Sequence, residues 1–289
     1  MARARFASAR SVAGFTLTEL AVVLAIVGFL LGSLMYTLAA QTEQRNFEDT
    51  RRRLELAREL LLAFAITNGR LPCPARSVAT AAPATVAGDE VRNAVTGDCT
   101  GDGVTDYYGG VNGAVTLGLL PARAIGFQQV DSSGFAVDVW GNRIRYAVAK
   151  SNTNCSIVPP VGTILFTSAT NLKFYGIACQ PNDLLVCKSA NVVPAPTAAS
   201  CGGPVAGANQ IMTKSLLVAI VFSTGKNGAT GGTGMDEAAN LNGAGNADPV
   251  FVYHTPAPST AAGGEFDDQF IWITTGEFYG KLIAAGALP

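Results

Sequence analysis

Apolar and polar positions divide the chain near residue 70. No residue from Leu20 to Gln41 is charged, and Leu20-Ala-Val-Val-Leu-Ala-Ile-Val-Gly-Phe-Leu-Leu31 is almost wholly hydrocarbon. Further on, Phe47, Thr50, Leu54, Ala57, Leu61 and Phe64 recur at three- and four-residue steps, with Glu48, Arg52, Glu55 and Glu59 between them. That period predicts an amphipathic helix with one face against a core. Asn68-Gly69, followed by Pro72, is a helix stop. One helix is therefore expected over 15–67, transmembrane to about residue 40. At a rise of ~1.5 Å per residue, 15–40 cover about 39 Å, enough for a hydrocarbon layer of ~30 Å. Arg3, Arg5 and Arg10 precede the apolar run, and Glu43, Glu48 and Asp49 follow it. This asymmetry predicts a cytoplasmic N-terminus and a single pass, with residues 68–289 on the far side as a globular domain.

Past Pro72 the helical period ends. Residues 75–115 are rich in Ala, Thr, Gly and Asp and read as a long loop. Strands are expected at 143–149, 163–167, 184–187, 215–223, 250–253 and 269–274. Residues 215–223 are nearly continuously apolar, as a central strand would be. Residues 225–248 read as a Gly/Asn-rich loop, and 276–285 as a short helix. A long helix followed by antiparallel strands predicts an α+β fold.

Composition narrows the setting. Charged residues make up 14% of the 289, against roughly 25% in an average soluble domain. The net charge of −1 carries no electrostatic footprint of a nucleic-acid binder. The cysteines, Cys73, Cys99, Cys155, Cys179, Cys187 and Cys201, all lie beyond the apolar segment, with no CxxC or CxxH spacing. That argues against zinc and for disulfides in an oxidising compartment. Neighbourhood favours Cys73–Cys99, leaving Cys155, Cys179, Cys187 and Cys201 to pair among themselves.

Glu19 is the residue that a plain membrane anchor does not explain. An ionisable group at the edge of an apolar span is costly and implies a partner. Gly14-Phe15-Thr16-Leu17-Thr18-Glu19-Leu20 resembles the class III signal of type IV prepilins and type II secretion pseudopilins. The resemblance implies a leader over 1–14, cleavage after Gly14 by a prepilin peptidase, and methylation of Phe15. It also implies that Glu19 pairs with the new α-amine of a neighbouring subunit in the filament. Losing the leader removes three arginines and no acid, taking the net charge from −1 to −4. The implied partners are the peptidase, other pilin or pseudopilin subunits and an inner-membrane assembly platform. The implied location is the inner membrane, then a pilus or pseudopilus. Asp138-Val-Trp140-Gly141-Asn142 resembles the D-P-W-G-N stretch of the major pseudopilin, with Val139 in place of Pro. Trp140 is read as a core aromatic. Leu71-Pro-Cys-Pro74 and residues 270–276 are similar to stretches of large pilin-like proteins. Many major pilins carry a helix-breaking Pro where this chain has Tyr36. That difference and the chain length suggest a minor pilin or pseudopilin, with a long helix packed on a sheet and disulfide-tied loops.

No enzyme is expected. His254 is the only histidine, no G-x-S-x-G is present, and Gly225-Lys226 lacks the rest of a phosphate-binding loop. Oxygen ligands on flexible loops suit calcium. Asp98, Asp102 and Asp106 form one candidate group. Asp236, Glu237 and Asp248, with Asn240 and Asn242, form another. Neither has EF-hand spacing, although some pseudopilins bind calcium in a late loop, and solvated Asp/Gly turns are the alternative. Arg51-Arg-Arg53 reads as a salt-bridged helix face. The alternative to a structural subunit is a filament-displayed adhesin or DNA-uptake module; the acidic mature domain disfavours nucleic acid.

Overall fold

A computed structural model describes residues 14, 16–77, 86–93, 97–99, 107–112, 115–151, 164–178, 180–230, 234–241 and 248–288; side chains at 33–39, 110–112, 117, 151, 164 and 165 lie outside the description. In chain order the elements are α1 (Leu17–Asn68), β1 (Gly110–Asn112), β2 (Val115–Leu117), α2 (Ala122–Ile125), β3 (Arg145–Val148), β4 (Lys150–Ser151), β5 (Ile164–Leu165) and α3 (Ala169–Tyr175). They continue with β6 (Leu185–Cys187), β7 (Gln210–Met212), β8 (Leu217–Ser223), α4 (Met235–Asn240), β9 (Val250–Val252), β10 (Gln269–Thr274) and α5 (Thr275–Ala284). The chain forms two compact units, Met1–Phe47 and Glu48–Pro289.

In the first unit the described apolar side chains of α1 are exposed. Leu17 is 85% exposed, Phe29 79% and Leu24 62%. Among the described residues, no helix is long and apolar enough to cross a membrane. With side chains at 33–39 outside the description, the described apolar stretch of α1 is Leu17–Gly32.

In the second unit α1 buries Leu54, Ala57, Leu61, Leu62 and Ala65, the face expected from the three- and four-residue spacing. Phe64 is half-buried. The helix ends at Asn68 because Gly69 turns left-handed, with φ 67°, and donates its N–H to Ala65 O at 2.8 Å. On the outer face Arg51 pairs with Glu55 and Arg52 with Asp49, each at 3.2 Å. Arg53 departs from the expected salt-bridged face. Its guanidinium donates to the carbonyls of Val137 at 2.9 Å and Asp138 at 2.7 Å. Arg58 pairs with Glu277, tying α1 to α5.

The core sheet has the order β10-β8-β3, with both pairings antiparallel. Every residue of β8 is buried, as its continuous apolar run predicts for a central strand. Phe222 and Phe270 face one another in register and stack at 4.8 Å. A second sheet has the order β7-β6-β9. Its β6–β9 pair is parallel, which corrects the all-antiparallel expectation. The chain from β6 to β9 passes through β7, β8 and α4, a connection long enough to return in the same direction.

Several boundaries also differ. β5 is shorter than 163–167. Thr167 instead donates its hydroxyl to Gly97 O at 2.7 Å, and Phe166 O accepts from Leu71 N at 2.8 Å. The expected loop at 75–115 contains β1 and the start of the β1–β2 hairpin. The expected loop at 225–248 contains α4, and β7 was not foreseen. The strand at 269–274 is β10, and the C-terminal helix is α5, one residue from its expected start. Disulfides join Cys73 to Cys99 and Cys187 to Cys201. Cys155 and Cys179 lie outside the described residues.

Candidate functional site

Two regions carry the residues singled out above. At the N-terminal one, Gly14 is exposed and Phe15 lies outside the described residues. Thr16 and Glu19 form a reciprocal cap on α1. Glu19 Oε2 accepts from the Thr16 N–H and hydroxyl, both at 2.9 Å, and Thr16 Oγ1 accepts from the Glu19 N–H at 3.3 Å. This is a capping box, a Thr followed three residues later by Glu, and its signal was present in Thr16-Leu-Thr-Glu19. In the single chain, Glu19 thus has an intrachain partner.

The second region lies around the end of β8. Asp138, 2% exposed, folds the Val139–Asn142 turn about its own side chain. Its Oδ1 accepts from the N–H groups of Trp140 at 2.9 Å and Asn142 at 2.8 Å. Its Oδ2 accepts from the Ser223 hydroxyl at 2.6 Å. Burial pushes the Asp138 pKa up, against these hydrogen bonds. Asn142 donates onward to Gly225 O at 2.6 Å. Trp140 itself is half-buried rather than a core aromatic. The buried member of the motif is Asp138, because its carboxylate is what the turn wraps around.

Of the acids proposed as calcium ligands, the described ones take separate partners. Asp102 and Asp106 lie outside the described residues. Asp98 Oδ1 accepts from the Tyr107 hydroxyl at 3.2 Å. Asp248 accepts from the Val250 N–H at 3.0 Å, at the start of β9. Asp236 is 3% exposed and turns toward the segment after β6, accepting from the Ser189 hydroxyl at 3.0 Å and the Ala190 N–H at 2.6 Å. His254 Nε2 lies 3.2 Å from Asp236 Oδ2, and its ring stacks on Phe266. The histidine is thereby held between an acid and an aromatic face.

Glu237 is different. It meets Asp267 and Asp268, two acids that sequence reasoning passed over, and one oxygen from each lies within 4.8 Å of the others. Asn240 does reach this region: its side-chain amide donates to Asp268 Oδ2 at 2.7 Å and to Val252 O at 3.0 Å. Burial pushes Asp267 up to about 6 and Asp268 well above its ordinary value, with Glu237 adding to both. The only sequence signal was an Asp-Asp pair set directly before an apolar strand.

Comparisons with protein-family models, with characterised proteins and with solved structures find no match. Function therefore rests on the residues themselves.

Proposed function

We propose that this chain is a pilin-like filament subunit, a minor pilin or pseudopilin, processed by a prepilin peptidase after Gly14 and anchored in the inner membrane by α1 before assembly. One observation carries the reading. The first half of α1 exposes Leu17, Leu20, Leu24, Phe29 and Leu31 to solvent, while its second half is buried in a folded domain. Exposed apolar surface on this scale needs a partner outside the chain. A membrane supplies it before assembly, and the same face of neighbouring subunits supplies it afterwards.

The rest of the reading follows from chemistry. Three arginines lie before Gly14 and no charge lies between Leu20 and Gln41, which orients the anchor with its N-terminus inside. Cleavage creates an α-amine beside Phe15, and in an apolar bundle that ammonium needs a counter-charge. Glu19 provides one by exchanging its Thr16 contacts for the amine of a neighbour. Disulfide-tied loops on the globular unit fit an oxidising compartment.

The test is the intact mass and N-terminal sequence of the protein from its own cells. A chain that begins at methylated Phe15 is the expected result. A chain that begins at Met1, or after Ala40, would remove the filament reading.

A further inference from the structure

We propose that a polar cleft where β2, the start of β3 and the turn after β8 meet binds a small hydroxylated carboxylate, a ligand of the sugar-acid class. Its residues all lie in the Glu48–Pro289 unit, so the site stands whether or not the chain enters a filament.

The cleft has a volume of about 250 Å³. That is below the ~300 Å³ at which pockets for drug-sized ligands begin, so it takes one compact solute or the end of a chain. Arg143, Arg145, Asn142, Thr116 and Thr224 line it, and among the described residues no acid does. Strand alternation brings the two arginines together. Arg143 is bridged to Val137 and Arg145 to Leu119. Ile144 and Tyr146 are fully buried, which turns Arg143 and Arg145 to the opposite, half-exposed face.

Arg143 is held ready for a ligand. Its Nε donates to Asp131 Oδ2 at 2.9 Å, and its guanidinium lies 4.2 Å over the Phe135 ring. Asp131 is fixed in turn by the N–H groups of Ser133 and Phe135, each 2.9 Å from Oδ1. These contacts set the plane of the guanidinium, while its two terminal nitrogens donate to nothing among the described residues. A guanidinium so placed presents a flat fork of N–H groups, which matches the two oxygens of a carboxylate.

A second observation is Thr224. It is 7% exposed and lines the cleft, and its hydroxyl makes no hydrogen bond among the described residues. A polar side chain this buried calls for a partner. Gly228 is what leaves it open to the cleft. A Cβ there would lie 2.0 Å from Thr224 Oγ1 and 3.1 Å from Asn142 Nδ2. Asn142 spends one amide hydrogen on Gly225 O at 2.6 Å, which leaves its side-chain oxygen and a second hydrogen for a ligand.

The charges select the ligand. Arg143 is paired with Asp131, and Arg145 lies near enough to Asp268 to favour its ionised form. Each guanidinium therefore keeps only part of its charge for a bound group, which suits a monoanion better than a doubly charged phosphate. The Thr116 and Thr224 hydroxyls and the Asn142 amide are neutral and can both donate and accept, as the hydroxyls of a sugar require. A carboxylate flanked by hydroxyl groups satisfies both halves of the lining.

The experiment titrates the full chain in detergent with sodium glucuronate, glucose, acetate or inorganic phosphate, read by calorimetry. Saturable binding of glucuronate is expected, with the other three at least about 10-fold weaker. Arg143→Lys keeps the charge but removes the fork and should weaken glucuronate about 10-fold. Thr224→Val keeps the shape but removes the hydroxyl and should weaken it about 5-fold. Lys173→Gln removes a positive charge from α3, outside the cleft, and should change nothing. Near-ultraviolet circular dichroism checks that each variant is folded, and Thr224→Val carries the test alone if Arg143→Lys is not. No saturable glucuronate binding by the folded wild-type chain would overturn the site, as would unchanged binding by folded Thr224→Val. Glucose or phosphate binding as tightly as glucuronate would overturn the assignment to a sugar acid.

Discussion

Ser223 donates its hydroxyl to Asp138 Oδ2 at 2.6 Å, and this bond joins the turn before β3 to the buried end of β8. Because the other Asp138 oxygen holds the Trp140 and Asn142 N–H groups, one carboxylate organises the entire turn. Asp138→Ala strands these donors in the interior and should cost about 2–4 kcal/mol. Ser223→Ala removes a single donor but leaves the carboxylate buried, and should cost about 1–3 kcal/mol. Urea denaturation of the full chain in detergent measures both. An Asp138→Ala loss within ~0.5 kcal/mol of zero, the range of ordinary surface changes, would show that the turn does not depend on its acid.

Asp183 gives the globular unit a pH dependence. It is 9% exposed, accepts from the Tyr108 hydroxyl at 2.9 Å and the Lys150 N–H at 2.6 Å, and burial pushes it up to about 6. A raised carboxyl holds its proton more tightly folded than unfolded. Its contribution is therefore full below the ordinary value of 3.8 and is lost as pH rises through about 6. The change is on the order of 2–3 kcal/mol between those limits. Asp183→Asn should flatten that part of the stability–pH curve, with wild type and variant compared by denaturation from pH 4 to 7. Parallel curves for the two proteins would rule Asp183 out as the source.

The Cys187–Cys201 bridge closes a loop with a sequence separation of 14, which predicts about 3 kcal/mol of stabilisation. Both cysteines are buried with Leu185 and Val250 in a small cluster of their own. Cys187→Ser with Cys201→Ser should lower stability by that amount and expose the Lys188–Ser200 segment to proteases. Limited proteolysis with mass mapping reads the second effect. Cleavage confined to other segments would count against the bridge as the clasp of this loop.

Glu19→Ala removes both the helix cap and the proposed partner of the neighbour's amine. Under the filament reading the variant should still be cut after Gly14, yet fail to enter filaments, with the globular unit unchanged by near-ultraviolet circular dichroism. Thr16→Ala removes the hydroxyl half of the capping box and keeps the acid, so assembly should persist. Filament yield by shearing and immunoblotting separates the two. Normal assembly of Glu19→Ala would rule out the charge-pair role.

Some of this architecture was legible because its signals are local. The face of α1 that carries Leu54, Ala57 and Leu61 repeats with the helix itself, and Gly69 stops the helix one residue beyond the expected end. The apolar run of β8 marks a strand covered on both faces. The short elements were not legible. The six residues of α4, Met235-Asp-Glu-Ala-Ala-Asn240, cannot display a helical period, and β7 offers only Gln210-Ile-Met212 between turns. The described acids Asp98, Asp236, Glu237 and Asp248 take separate partners for a related reason. Neighbours such as Asp236 and Glu237 point to different sides of one short helix.

By itself, then, the chain determined the long helix, its uncharged first half, the central strand and the Cys73–Cys99 pair. Each depends on periodicity, charge or proximity along the backbone. Only the tertiary structure decided that β6 and β9 run parallel, that Asp138 rather than Trp140 is the buried member of its turn, and that Glu237 faces Asp267 across 30 residues. Those outcomes depend on strand register and long crossovers. Both are set by how apolar faces pack against one another, which is information that no local window of sequence contains.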